Sequence, residues 1–540
     1  MSTVTPITPD AGGESRLFNA ADYFIDRNIR QGRGHRTAIY FGDTRLSYNQ
    51  VQKMVNKTAN ALRDLGVHIE DRVLLVLLDT PEFYACFWGA MRIGAVPVPC
   101  STLLTPEEYE YFLNDSRARV LVVSKSLLPV IQSIRGDLPY LRDLIVVEEG
   151  QGAEIPFRQK YKRAPDTCKS AATTRDDVSF WLYSSGSTGT PKGTIHSQYD
   201  MVVCAENYAR QVLNVTEDDI TLSVARLFFA YGLGNSNYFP LSVGAAAVLY
   251  PGRPTPQLMF ELLVKYRPTL FFGVPTMYAS MLDLAEKRDR ETGDRPDANA
   301  EHEFSSVRLC ISAGEALPTD IYHRFKERYG VEILDGLGST EMLHIFLSNQ
   351  PGAVRPGSTG RPVPGYELKL VDEEGREVGE GEVGTLLVKG ASAAQFYWRK
   401  LAKTRKTMLG EWISTGDKFH RDRDGYYWCA GRGDDMLKVG GIWVSPVEVE
   451  RCLDEHPAVL ECAVVGHPDR EGLIKPKAFC VLCQGQQPSA ELQAELKAFV
   501  KERLAKYKYP RWIEFVDELP KSSTGKIQRY KLRRAAAGEQ

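Results

Sequence analysis

The feature that most constrains this chain is a pattern over its first half in which short, unbroken apolar runs alternate with longer amphipathic stretches. Residues 73–78, 120–123 and 144–147 contain only Val, Leu and Ile, which suits strands buried on both faces. Helical patterns such as residues 81–93 lie between the first two runs, and strands alternating with helices predict parallel sheets covered by helices. An α/β class follows, with the pattern running from Ala38 to about Leu270.

Beyond it the texture changes. Gly and Pro cluster between Gly352 and Gly365, and residues 366–371 then alternate like a half-buried strand, predicting a small β unit. A glycine- and charge-rich junction, Gly431, Arg432, Gly433, Asp434 and Asp435, precedes a new α+β pattern. There Leu492, Leu496, Phe499, Val500 and Leu504 share one helical face within 488–506, and 463–465 and 512–515 read as strands. Since 540 residues exceed one ordinary core, two parts are expected. Residues 1–433 form a large N-terminal domain of parallel-sheet α/β subdomains plus the β unit, and 434–540 a small mobile α+β C-terminal domain. Residues 288–303, polar and rich in both charges, read as a surface insertion.

A net charge of -2 gives no field to attract nucleic acid. No apolar run approaches the roughly 18 residues that span a bilayer, and the first twenty residues carry no secretory pattern; a cytoplasmic monomer or homodimer is expected. The ten cysteines lie mostly in apolar segments, as reduced, buried thiols do. Cys480 and Cys483 form one C-x-x-C inside an apolar run with no second pair, which argues against zinc.

The strongest chemical signal follows the strand-like residues 178–182. It comprises Ser184, Ser185, Gly186, Ser187, Thr188, Gly189, Thr190, Pro191, Lys192 and Gly193. Small residues let backbone amides approach an anion, hydroxyls donate further bonds and Lys192 adds a point charge, which together describe a polyphosphate cradle. It is not a Walker A loop, because Thr190 and Pro191 separate Gly189 from Lys192.

This loop resembles the phosphate-binding segment of the acyl-adenylate-forming superfamily, which includes acyl-CoA synthetases, luciferases and peptide-synthetase adenylation domains. Further matches follow in the family's order. Its adenine segment is similar to Ala313, Gly314 and Glu315, and its magnesium segment to Asp335, Gly336, Leu337, Gly338, Ser339, Thr340 and Glu341. Its ribose contacts match Asp417 and Arg432, and its catalytic lysine matches Lys526. Taken singly, Glu341 reads as a capping acid, Asp417 as a turn residue and Lys526 as part of a basic tail; the ordered set reverses that. The resemblance implies ATP, Mg²⁺ and coenzyme A, with Glu341 as metal ligand, and Thr340, Glu341 and Lys526 as the catalytic group. It also implies a C-terminal domain that swings about Asp434, bringing Lys438, Gly440, Gly441 and Trp443 to the route of the CoA arm.

Finer resemblance points to the benzoate-CoA ligase branch. Ala230 and Tyr231 would form one wall of the acyl pocket, Gly336, Leu337 and Gly338 its floor, and His344 with Ile345 the far side. The activity implied is ATP-dependent conversion of benzoate, or a hydroxy- or aminobenzoate, to its CoA thioester through an acyl-AMP. A stand-alone adenylating enzyme that loads a carrier protein is the alternative.

Overall fold

The computed structural model describes residues 17–134, 136–148, 152–153, 157–184, 191–292, 303–433, 435–439, 442–469, 473–504, 506, 508–521 and 527–537. The Val- and Leu-rich runs form a five-stranded sheet in the order Val96–Pro99, Arg72–Val76, Val120–Ser124, Asp143–Glu148 and Gly152–Ala153. The first four strands pair in parallel. The third run departs from the expected burial on both faces, since Leu144 is 41% exposed. Among the described residues the only strand beyond it is the two-residue Gly152–Ala153, too short to cover it. Helix Pro81–Arg92 opens with Pro at a position that needs no N–H partner. It packs closely on helix Tyr48–Asp64, where a Cβ on Gly89 would sit 3.0 Å from Thr58.

A nine-stranded sheet is the largest among the described residues. Six neighbouring strands pair in parallel: Ile333–Gly338, Leu309–Ala313, Leu270–Gly273, Ile220–Ser223, Ala246–Leu249 and Thr37–Phe41. The parallel pattern therefore continues past Leu270 to Gly338, through strands whose Cys, Ser, Asp and Gly residues interrupt the apolar run. Ser223, Gly273, Ala313 and Gly338 close four of these strands at one edge. The crevice beyond such carboxyl ends is where open parallel sheets bind ligands.

The turn-rich region folds into the antiparallel strands Glu367–Val371, Gly384–Lys389, Trp412–Arg421, Met408–Leu409 and Tyr427–Arg432. Further on, Val459–Pro468, Ile474–Leu482 and Trp512–Phe515 form a three-stranded sheet against helices Pro446–Asp454 and Ala490–Arg503. Leu492, Leu496 and Val500 supply the buried helical face, with Phe499 and Leu504 packed beside them.

The insertion expected over 288–303 is different at both described ends. Helix Pro275–Thr292 carries Arg288, which holds the buried Glu303 at 2.6 Å; residues 293–302 lie outside the described residues. All ten cysteines are free, but Cys168, Cys429 and Cys483 are only partly buried. No helix among the described residues is long and apolar enough to cross a membrane.

Candidate active site

Strands Val178–Ser184 and Lys192–Ser197 pair antiparallel, and their register runs out to Ser184 opposite Lys192. The loop joining them, with Ser185, Gly186, Ser187, Thr188 and Gly189, lies outside the described residues. Lys192, which follows it, makes specific contacts. Lys192 Nζ lies 2.8 Å from Glu341 Oε1 and donates to Tyr397 Oη at 2.7 Å, while Tyr397 Oη donates to the same carboxylate oxygen at 2.7 Å. The ammonium also sits 3.9 Å from the centre of the Tyr397 ring, a stabilising cation–π position. Burial alone would raise the Glu341 pKa, but the charge of Lys192 and the bonds from Lys192 and Tyr397 hold it below its ordinary value. The group is thus an ionised carboxylate in a nearly closed site.

The backbone around Glu341 is fixed as firmly. The Thr340 carbonyl accepts from Leu343 N at 3.2 Å, closing a turn in which Leu343 has a φ of 68°, and it faces His196 Nε2 at 2.8 Å. His196 Nδ1 lies 2.7 Å from Asp200 Oδ2. The Glu341 carbonyl accepts from Ala394 N at 2.7 Å.

The adenine and ribose candidates also come together. Leu309–Ala313 and Ile333–Gly338 are neighbours, with Ala313 opposite Gly336 and Ser312 opposite Asp335. Gly314 follows at a φ of 98°, where a side chain would be strained. Asp335 is buried, and that burial raises its pKa to about 8 against the opposing pull of Arg451 and the amides of Leu317 and Gly336. Asp335 Oδ1 and Ser312 Oγ are buried without partners among the described residues, at a sheet edge where a ligand is expected to supply them. Asp417 and Arg432 pair across two strands, with Arg432 Nη1 donating to Asp417 Oδ1 at 3.0 Å.

Lys526 lies outside the described residues, but its surroundings do not. Lys521 bridges Ile527 across the segment, and Ile527 N donates to Glu315 Oε1 at 3.3 Å. The chain following Lys526 is therefore docked on the adenine candidate. Asp434, Gly440 and Gly441 also lie outside the described residues; Lys438 and Trp443 oppose each other on the hairpin Leu437–Val439 and Ile442–Val444.

On the acyl side, Ala230 and Tyr231 start the helical turn Ala230–Leu233. The Tyr231 hydroxyl donates toward Gly273 O and Ile311 O at 3.3 and 3.2 Å. His344 Nε2 donates toward Tyr231 O and Asn235 Oδ1 at 3.2 and 3.1 Å, while Nδ1 has no partner among the described residues. Burial lowers the His344 pKa to about 3, so the ring is neutral near pH 7. Ile345 is buried beside it and pairs with Gly338. A Cβ on Gly338 would lie 2.7 Å from His344 O, and one on Gly336 3.1 Å from the Ile345 side chain. Gly338 is thus required by the approach of strand Ile345–Ser348, a Cβ at Gly336 would be tight against it, and Leu337 between them is partly buried.

Several residues of this site escaped the sequence reading. Tyr397 sits in an aromatic trio, Phe396, Tyr397 and Trp398, that signals only packing. His196 shares the parity of Lys192 along one strand, a readable clue once that strand is placed. Asp79 is buried and its carboxylate accepts from Leu227 N at 3.2 Å, with Arg226 Nη1 at 3.6 Å. It anchors the turn leading to Ala230.

Residues 25–398 match the family described as AMP-binding enzyme, and residues 448–526 its C-terminal domain. The chain is 50% identical to the benzoate–CoA ligase of Thauera aromatica over 98% of both chains. It is 47% identical to the 4-hydroxybenzoate–CoA/benzoate–CoA ligase of Rhodopseudomonas palustris, covering 97% of this chain and 95% of that one. The crystal structure of the anthranilate CoA ligase AuaEII in complex with anthranoyl-AMP superposes with a TM-score of 0.89 at 47% identity, covering 96% of this chain and 98% of that one. With its family match across both parts and relatives of this closeness, the chain belongs to the AMP-binding enzyme family, the acyl-adenylate-forming superfamily whose benzoate-CoA ligase branch its motifs resemble.

Proposed function

We propose that the protein is a cytoplasmic, ATP-dependent ligase that converts benzoate, or a hydroxy- or aminobenzoate, to its CoA thioester through an acyl-adenylate, releasing AMP and pyrophosphate. The observation that carries this reading is the meeting of Lys192 with Glu341 at 2.8 Å, in a chain whose segment after Lys526 is docked on Glu315 through Ile527. Both reactants of the first step, a carboxylate and a polyphosphate, are anions, so the barrier is lowered chiefly by positioning and charge neutralisation. Lys192 and the amides of the loop above it would hold the phosphates, and Thr340 Oγ1 would donate to the α-phosphate. Lys526 would bring a second cation to the incoming carboxylate and the α-phosphate, where negative charge develops. Asp417 and Arg432 would hold the ribose.

The donor set fits magnesium. Glu341 is one ionised carboxylate beside a phosphate site, and Mg²⁺ is commonly held by one or two carboxylates plus substrate phosphates. When bound, the ion neutralises phosphate charge. In the second step the residues after Asp434, including Lys438 and Trp443, would form the CoA path once the 434–540 domain has turned away from the 1–433 domain. The thiol attacks the acyl carbon and AMP leaves, so no cysteine of the chain is needed as a nucleophile.

The His344 Nδ1 lone pair is buried and unpartnered among the described residues; where the ring of a substituted acid reaches it, a hydroxyl or amino group would donate to it. The test is a competition in which purified protein, ATP, MgCl₂ and CoA meet benzoate, its hydroxy and amino derivatives and a medium-chain fatty acid. Aryl-CoA and pyrophosphate should appear with the aromatic acids. Release of neither sinks the reading, and adenylate without thioester points to carrier loading.

A further inference from the structure

We propose that His196 and Asp200 are positioning residues for the adenylation step: they fix the Thr340 carbonyl and so aim Thr340 Oγ1 and Glu341 at the nucleotide. The inference rests on the reading above and deepens it.

Residues alternate across a strand, so Lys192, Thr194 and His196 of strand Lys192–Ser197 point to one side. One strand thereby grips the 340–341 segment twice. Lys192 takes the Glu341 carboxylate at 2.8 Å, and His196 takes the Thr340 carbonyl at 2.8 Å, a contact spanning 144 residues of sequence. A carbonyl only accepts, so Nε2 must carry a proton. Asp200, whose carboxylate also accepts from Ser197 N at 3.0 Å and from Ser197 Oγ, faces His196 Nδ1 at 2.7 Å. A ring bonded at both nitrogens and stacked on Phe180, with centroids 5.2 Å apart, cannot turn.

The turn it grips needs such a hold. Leu343 occupies the left-handed region at 68°, which suits a bulky side chain poorly. Leu343 N and His196 Nε2 share the one carbonyl that closes the turn. His196 is fully buried, and polar pairs of this kind add little to stability beyond an apolar replacement. Its direction toward the backbone immediately before Glu341 gives it a specific use, comparable to the outer-shell partners that orient ligand-binding residues.

The experiment uses full-length protein with two substitutions of opposite reach. His196→Asn keeps a donor for Asp200 but is too short for Thr340, whereas His196→Gln can place its amide where Nε2 stood. Four quantities are read: pyrophosphate–ATP exchange with benzoate, equilibrium binding of a non-hydrolysable ATP analogue with and without MgCl₂, thioester formation from supplied benzoyl-AMP, and melting temperature. In His196→Asn, exchange should fall about 10- to 100-fold and analogue binding should weaken. Thioester formation from benzoyl-AMP should change far less, and His196→Gln should recover part of the loss. A fully active His196→Asn, or equal loss of both half-reactions in both variants, overturns the proposal. Should either melt too low to assay, Asp200→Asn of equal volume must show the same selective loss, and loss of both half-reactions there overturns it equally. Wild-type protein that activates no carboxylic acid would instead overturn the function proposed above.

Discussion

Replacing Asp79 by Asn separates stability from function, because the two should move in opposite directions. The Asp79 carboxylate is 5% exposed, and burial lifts its pKa from 3.8 to about 6 in spite of Arg226 and the Leu227 amide. The folded chain therefore keeps a proton that the unfolded chain releases between pH 3.8 and about 6. Stability falls as pH rises through that window and stays lower above it. The difference amounts to about 3 kcal/mol, an order-of-magnitude figure that already includes the attraction of Arg226. Asn cannot ionise, so Asp79→Asn should lack this penalty and melt about 3 °C higher at pH 7.5. The gain should fade toward pH 4.

Function should suffer all the same. The carboxylate receives Leu227 N and sits 3.6 Å from Arg226 Nη1, and Arg226 in turn donates to Tyr250 O at 2.8 Å and to Gly252 O. These bonds fix the turn that delivers Ala230 and Tyr231. A Cβ on Gly232 would meet Arg226 O at 2.0 Å, so the turn is tightly folded back on itself. A neutral acceptor bonds about half as strongly as a charged one, and a loss of about 1.4 kcal/mol in holding the wall corresponds to a roughly tenfold rise in KM for the aromatic acid. KM for ATP should stay put. Calorimetric scans at one rate across pH 4 to 8, with steady-state kinetics at pH 7.5, decide the matter. A variant that melts below wild type at pH 7.5, or whose two KM values rise together, refutes the reasoning.

Tyr397→Phe removes a donor to Glu341 and an acceptor for Lys192. Bonds to charged groups are worth about 1.5–3 kcal/mol, so kcat/KM for ATP should drop by roughly one to two orders of magnitude, measured by pyrophosphate release, with little change in melting. Gly338→Ala should be far more damaging than Gly336→Ala. The first places a Cβ against His344 backbone atoms at 2.7 and 2.8 Å, the second mainly against the movable Ile345 side chain, and soluble yield with acid KM will rank them. Lys526→Ala should abolish adenylation by about 10² to 10³ in rate while still converting supplied benzoyl-AMP and CoA to thioester; equal loss of both reactions contradicts the proposed domain alternation.

The parts of this molecule that the sequence made legible are those whose chemistry is local. Val and Leu runs marked the first parallel sheet because burial on both faces leaves no polar residue to interrupt them. The nucleotide candidates stood out because small and polar residues run together around Lys192, Gly314 and Thr340, the composition that suits a segment facing an anion. The second sheet was underestimated for the converse reason: strands Leu309–Ala313 and Ile333–Gly338 end in the polar and glycine residues that face the crevice, so their apolar runs look truncated.

What stayed hidden is the layer that orients those segments. Tyr397 reaches Glu341 over 56 residues, His196 reaches Thr340 over 144, and Asp79 reaches Leu227 over 148. To orient without being hydrated, such side chains must be buried, and to be buried they sit among apolar neighbours where each reads as an ordinary core residue. Their partners are backbone groups or charges that only the folded topology brings near. The one sign that does survive in sequence is parity. A histidine four positions after the lysine proposed to hold phosphate, on a strand, must face the same side of the sheet as that lysine.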